Sequence, residues 1–90
     1  MTNHEYGIFH PETNRWLFDY DPNYLPADEL VDYPTGVATW TDSALGAKRF
    51  ASMIDAFEFW RQQSTTMPLR PDGQPNRPLT HYTISIEVLK

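Results

Sequence analysis

Hydrophobic side chains near the N-terminus recur with the two-residue spacing of β-strands. Two aromatic-rich runs, Glu5–His10 and Arg15–Tyr20, are joined by Pro11–Asn14. Because proline suits the second position of a turn and Asn14 tolerates a left-handed backbone, this unit is predicted to be a β-hairpin. Regular alternation would give each strand one shared face. These faces hold Tyr6 and Ile8 in the first strand, and Trp16, Phe18 and Tyr20 in the second.

Two further strands are predicted, one in the middle of the chain and one at its end. Gly36–Thr41 is a short extended run, and His81–Leu89 alternates throughout its length. The alternation in the last run predicts two distinct faces. One face holds Tyr82, Ile84, Ile86 and Val88, and the other holds Thr83, Ser85 and Glu87.

The helical pattern begins after Phe50. Ser52 followed by Asp55 resembles a capping box, and the helix is expected to fade near Gln62. Residues 42–46 are predicted to form a short turn capped by Asp42 or Ser43, with a helix that starts at Asp42 as an alternative. The apolar stripe comprises Met53, Ala56, Phe57 and Trp60, with Ile54 and Phe59 beside it.

These elements predict one domain, residues 1–90, of the α+β class. A small antiparallel sheet combines the N-terminal hairpin with the C-terminal strand, and one amphipathic helix packs on one face. The helix stripe and the apolar row of the C-terminal strand are predicted to form the buried core. Residues 64–80 contain four prolines and the pair Asp72-Gly73, so this stretch is predicted to be a loop with a turn that is flanked by Arg70 and Arg77.

Composition narrows the possible functions. The chain has no cysteine, which excludes disulfides and cysteine-ligated metal centres. The net charge of −5 disfavours general nucleic-acid binding and anionic membrane surfaces. Neither a secretory signal nor an apolar run of about 18 residues is visible, so no membrane span and a cytoplasmic location are expected.

The charge is unevenly distributed along the chain. Residues 1–45 hold eight acidic residues and one basic residue, whereas residues 46–90 hold four acidic and six basic residues. The segment Asp19–Tyr33 carries five carboxylates and three tyrosines without any lysine or arginine. Tyrosines in a surface segment suit macromolecular contact because they offer large area at low entropic cost, although they can also fold back over a thin core. The predicted contact residues are Asp19, Tyr20, Asp21, Tyr24, Asp28, Glu29, Asp32 and Tyr33.

The sequence gives weaker support for a metal site or a catalytic site. Asp19, Asp21 and Asn23 have the first ligand spacings of a calcium loop, but the glycine and the final glutamate of that loop are missing. Nothing resembles a serine nucleophile elbow or a phosphate-binding glycine loop, and an enzyme is not expected. The three histidines could form a crude metal site with Glu12, but scattered surface histidines are the commoner case, so no metal and no cofactor are expected.

The string WTDSALGAKRFASMIDAF, residues 40–57, resembles small proteins of tailed phages and prophages, as does the closing RPDGQPNRPLTHYTISIEV. The resemblance lies in the layout of residues 40–90: a tryptophan, a basic-Phe pair, a capped helix, then a proline-rich loop before a terminal strand. Some small acidic phage proteins inhibit host defence, anti-CRISPR proteins among them. The resemblance therefore implies an inhibitor that covers a basic surface of a nucleic-acid-handling host protein.

The sequence thus predicts a non-catalytic protein-binding module. Its partner is expected to be a host protein with a basic nucleic-acid-binding surface, approached through the acidic segment, with no direct contact to nucleic acid or membrane. The alternative is a structural or assembly accessory protein that forms homo-oligomers through the terminal strand. Both a monomer and a homodimer remain open.

Overall fold

A computed structural model describes residues 4–25 and 34–89. It contains a four-stranded antiparallel sheet and one α-helix, so the predicted α+β class is confirmed. The strands lie in the order β3-β2-β1-β4, with the two N-terminal strands in the centre. Their bounds are Glu5–His10 for β1, Arg15–Asp21 for β2, Val37–Thr41 for β3 and Ser85–Leu89 for β4.

The N-terminal hairpin forms where its turn signal predicted it. Phe9 pairs with Trp16 and His10 with Arg15 across the antiparallel ladder. Asn14 has φ 57°, the left-handed conformation that asparagine tolerates better than most residues. The local turn chemistry therefore sets the register of the two strands.

The predicted shared face of Trp16, Phe18 and Tyr20 is wrong, because β2 contains a bulge. The pairing with β3 shifts register between Leu17 and Asp19, which leaves Phe18 as the extra residue. As a result Leu17 is fully buried on the core side together with Tyr20, whereas Phe18 is 54% exposed. The extra residue therefore places Leu17 and Tyr20 on the same side of the sheet, although they are three positions apart.

A segment from the middle of the chain lies where β1 and β2 separate. Phe50 exchanges two backbone hydrogen bonds with Tyr6, and the Lys48 N–H donates to the Leu17 carbonyl. This segment supplies backbone partners to both strands beyond the short hairpin ladder.

The helix α1 spans Met53–Trp60, and the Ser52 hydroxyl accepts a hydrogen bond from the Asp55 N–H at 3.1 Å. The predicted cap is confirmed. The alternative start at Asp42 is wrong, because Ala44–Gly46 forms only a 3₁₀ turn capped by Ser43 and Ala47 is extended.

The predicted buried stripe of α1 is only partly correct. Ala56 is fully buried and Trp60 packs against the core, but Met53 is 53% exposed and Phe57 is 42% exposed. Phe59, which the pattern placed beside the stripe, packs on the core instead. The short helix therefore turns its Ala56–Phe59–Trp60 side inward.

The C-terminal strand is shorter than its alternation indicated. Pro78–His81 forms a 3₁₀ helix, and β4 begins only at Ser85. Ile84 and Ile86 pack on the core as predicted, whereas Val88 of the same row is 51% exposed. The predicted turn at Asp72-Gly73 is confirmed, with the Gly73 N–H donating to the Arg70 carbonyl at 2.9 Å.

The core lies between one face of the sheet, α1 and the 3₁₀ helix. Aromatic and β-branched side chains enclose it, so a short helix suffices to cover a narrow sheet. Its buried members are Ile8, Leu17, Tyr20, Ala56 and Leu79.

Candidate acidic binding surface

The acidic segment begins on β2, where two of its carboxylates are exposed. Asp19 pairs with Thr39 and Asp21 with Val37, and both acidic residues are exposed. In the parts of the chain that are described, no ion pair involves either carboxylate. Because no described lysine or arginine pairs with them, these charges are available to an outside cation.

Tyr20 belongs to the core, which removes it from the predicted contact residues. Its ring is 8% exposed and meets Phe59 edge-on at a centroid distance of 6.0 Å. Its hydroxyl accepts a hydrogen bond from the Leu79 N–H at 3.0 Å. Burial raises the pKa of the Tyr20 hydroxyl to about 12, although the hydrogen bond from Leu79 acts in the opposite direction; Asp21 makes a smaller upward contribution.

Tyr24 is exposed at the start of the β2–β3 connection. The Tyr24 side chain is 46% exposed and the neighbouring Leu25 is 52% exposed. Its carbonyl accepts a hydrogen bond from the Gly36 N–H at 3.1 Å, so the chain returns to the same point immediately before β3. Tyr24 therefore keeps the role of a candidate packing residue that the sequence predicted.

Gly36 sits at this return point for a steric reason. Its φ is +71°, and a Cβ there would lie 2.8 Å from the Cβ of Pro78. Only glycine combines this backbone conformation with such a close approach. The base of the connection is thereby held against the 3₁₀ helix.

The Asn23 side chain anchors the same base to the loop after α1. Its Oδ1 accepts hydrogen bonds from the Ser64 hydroxyl at 2.7 Å and from the Thr65 N–H at 2.8 Å. The Thr66 N–H and hydroxyl also donate to this oxygen, and Nδ2 donates to the Thr65 hydroxyl at 2.9 Å. Asn23 is therefore an anchor. Because its oxygen already accepts hydrogen bonds from the protein, it is a poor calcium ligand, which further disfavours a calcium loop here.

Asn76 holds the other end of the connection. This residue is 2% exposed, and its Nδ2 donates to the Pro34 carbonyl at 2.9 Å and to the Met67 carbonyl at 3.1 Å. Its backbone also bonds to Ser64 and Pro68. Two asparagines therefore fix both ends of the β2–β3 connection through a loop that is distant in sequence.

The remaining predicted contact residues lie between these fixed ends. Asp28, Glu29, Asp32 and Tyr33 fall outside the described residues, so they stay sequence predictions. The hydrogen bonds at Tyr24 and Pro34 lie in the described chain shortly before and directly after the part that carries these residues.

The histidines do not meet in the described part of the chain. His10 is 7% exposed, and its Nδ1 lies 2.7 Å from the Thr13 hydroxyl, beside the rings of Trp40 and Tyr82. His4 and His81 are exposed. Among the described residues, no three potential metal-ligating side chains form a group.

The basic residues near α1 make local contacts. The Lys48 Nζ lies 5.1 Å from the centre of the Phe59 ring, and the Arg61 guanidinium lies 5.5 Å from that of Phe57. The Arg49 and Glu5 side chains approach to 4.0 Å. Each of these basic side chains thus has a local partner, whereas five of the twelve acidic residues fall within Asp19–Tyr33 in the sequence.

Within residues 4–25 and 34–89, no helix has the length and apolar character required to cross a bilayer. Comparison of the chain with protein families, with curated proteins and with solved structures gives no match.

Proposed function

We propose that the chain is a non-catalytic protein-binding module whose acidic β2–β3 connection docks on a basic surface of a nucleic-acid-handling protein. The observation that carries this proposal is the pair of anchored ends around a long acidic connection. Tyr24 and Gly36 are hydrogen-bonded to each other, and Asn23 and Asn76 tie the same region to a separate loop. Long connections inside a small domain are commonly functional.

The fixed base supports binding because it limits the entropy lost on association. A contact segment whose ends are already ordered has fewer conformations to give up when a partner docks. Exposed Tyr24 and Leu25 supply apolar area a few residues along the chain from the exposed carboxylates of Asp19 and Asp21. A mixture of aromatic and acidic groups suits a surface rich in arginine and lysine.

More specifically, the protein would be an inhibitor from a phage or other mobile element. By covering the basic surface of a host defence protein, it would prevent that protein from binding its nucleic acid. The support for this form is the grouping of negative charge and the layout of residues 40–90. The carboxylates would act as electrostatic contacts without any chemical step.

The test compares two triple variants of equal net charge. Asp28→Asn, Glu29→Gln and Asp32→Asn together neutralise the connection; Glu12→Gln, Asp42→Asn and Glu58→Gln neutralise three acids elsewhere. A basic partner is first captured from host lysate at low salt and purified, and its affinity is then measured at two salt concentrations. We expect the first variant to bind at least about tenfold more weakly with a flatter salt dependence, because it loses three opposing charges.

The control triple should keep most of the affinity, and the wild-type protein should displace nucleic acid from the purified partner. Equal losses in both variants would mean that only overall charge matters and would contradict docking through the connection. Failure to capture any basic nucleic-acid-handling protein would contradict the proposal itself.

A second candidate function is assembly through the free edge of the sheet. β4 is the last strand in the sheet order, and in the described residues no strand pairs with its outer edge. Such edges can add a strand from another chain. Sedimentation over a range of protein concentrations separates the two candidates, since doubling of the mass favours assembly and a constant monomer mass favours the binding module.

A further inference from the structure

A shallow groove of about 570 Å³ lies where β1, β2 and β4 meet, on the side of the sheet opposite the core. Side-chain alternation puts Phe9, Trp16 and Glu87 on this side, because Ile8, Leu17 and Ile86 face the core. The groove is lined by Phe9, Pro11, Trp16, Ser85 and Glu87, together with Val88, which belongs to the row of Ile86 but is 51% exposed at the end of β4.

Two half-buried aromatic rings form one wall of the groove. The Phe9 and Trp16 ring centroids are 4.9 Å apart at an interplanar angle of 58°, so the two rings meet at an open angle. Gly7 is needed for this arrangement, because a Cβ there would lie 3.1 Å from two atoms of the Trp16 indole. The indole therefore packs directly over the backbone of β1.

Glu87 provides the only formal charge among the residues that line the groove. It pairs with Gly7 across the β1–β4 ladder, which brings its strand position next to the indole that covers Gly7. Glu87 is exposed, and no cation among the described residues lies within ion-pair distance of its carboxylate. An aromatic wall beside a carboxylate that no described cation neutralises is complementary to a positive charge.

We propose that this groove binds an arginine side chain of a protein partner. A guanidinium group can stack on an aromatic ring while its N–H groups donate to a carboxylate, and the groove offers both partners to one planar cation. An anionic ligand would meet the Glu87 charge, and the shallowness of the groove exposes a purely apolar ligand to water. The choice of a basic protein as the partner rests on the proposed function, but the groove is a separate surface from the β2–β3 connection.

The experiment uses a capped peptide, serine–valine–arginine–valine–serine, titrated into ¹⁵N-labelled protein at low salt. The same peptide with citrulline in place of arginine keeps the shape and removes the charge. We expect saturable shifts of the Trp16 indole N–H signal with the arginine peptide and at least about threefold weaker binding of the citrulline peptide, given the strength of exposed cation–π and ion-pair contacts. Trp40 and Trp60 serve as internal references because neither lines the groove.

Glu87→Gln should weaken the arginine peptide to the level of the citrulline peptide, whereas Glu58→Gln, an exposed position on α1, should leave it unchanged. Equal binding of the two peptides, or an unchanged affinity in Glu87→Gln, would overturn the inference. Shifts of Trp16 that depend on protein concentration without peptide would also overturn it, because a second copy would then occupy the groove.

The two proposals can fail separately. The neutralised connection leaves the groove intact, so the variant with Asp28→Asn, Glu29→Gln and Asp32→Asn should bind the arginine peptide like the wild type. If the arginine peptide binds but no basic partner is captured from lysate, the proposed arginine site in the groove is supported and the proposed function is contradicted.

Discussion

Tyr20 joins three parts of the molecule through one side chain. Its ring packs between the sheet and Phe59 of α1, and its hydroxyl pairs with the Leu79 N–H of the 3₁₀ helix. A tyrosine at this position satisfies a backbone donor that would otherwise lack a protein partner in the core. The sequence left two roles for Tyr20, contact with a partner or covering the core. The burial of its ring shows the second.

The pKa of Tyr20 predicts sensitivity to alkaline pH. The hydroxyl ionises near pH 10 in the unfolded chain but only near pH 12 in the folded one. Its contribution to stability is therefore complete below pH 10 and is lost as the pH rises toward 12. Urea unfolding between pH 8 and 11.5 should show the free energy of unfolding falling over this window.

Tyr20→Phe should remove the part of the alkaline decrease in the free energy of unfolding that comes from ionisation of Tyr20. At neutral pH it should also lower the free energy of unfolding by about 1–3 kcal/mol, because the buried Leu79 N–H loses its acceptor. Tyr24→Phe changes an exposed hydroxyl and is the control. A Tyr20→Phe variant with the same pH profile and stability as the wild type would contradict the role of this hydrogen bond.

The cap of α1 offers a test of an element. The helix has eight residues, so it is too short to be stable alone, and its first turn depends on the Ser52 hydroxyl. Ser52→Ala should lower the free energy of unfolding by about 1 kcal/mol, the usual value of an N-cap. Ser43→Ala removes the equivalent contact of a single 3₁₀ turn and should cost clearly less. If chemical denaturation shows equal losses in the free energy of unfolding for both variants, the α1 cap contributes no more to stability than the cap of the 3₁₀ turn.

Elements with local signals could be predicted from the sequence, and their irregularities could not. The hairpin turn at Pro11–Asn14 and the Ser52 cap depend on residues within four positions of each other. The bulge at Phe18 was missed because it arises where β2 leaves β1 and Leu17 bonds to Lys48, far away in the chain. The late start of β4 was missed because the 3₁₀ helix is held by Tyr20.

At the scale of the whole molecule, long-range side-chain hydrogen bonds tie the described ends of the β2–β3 connection to a distant loop. Asn23 contacts residues 41 to 43 positions later, and Asn76 contacts Pro34 at a separation of 42. Neither asparagine stands out in the sequence as an anchor, because each lies among ordinary loop residues and its partners cannot be read from local spacing. The acidic composition of Asp19–Tyr33 could be read from the sequence, but the hydrogen bonds of Asn23 and Asn76 could not.

Asn23→Ala should loosen the loop after α1. The Thr65 and Thr66 N–H groups would lose their acceptor, so we expect hydrogen exchange at these two amides to accelerate at least about tenfold, with a stability loss of about 1–3 kcal/mol. Asn23→Asp keeps an acceptor oxygen at the same place and should remain closer to the wild type. Exchange rates that are unchanged in Asn23→Ala would contradict the anchor.

The hydrogen bond between the Tyr24 carbonyl and the Gly36 N–H has an evolutionary consequence. Since Tyr24 and Gly36 meet at one point and Asn76 holds Pro34, lengthening, shortening or exchanging residues 26–33 requires no change in the path of β2 or β3. Selection can therefore rewrite the stretch repeatedly while the scaffold is inherited unchanged. Related chains would be expected to agree in their strands and to differ most sharply between these two positions.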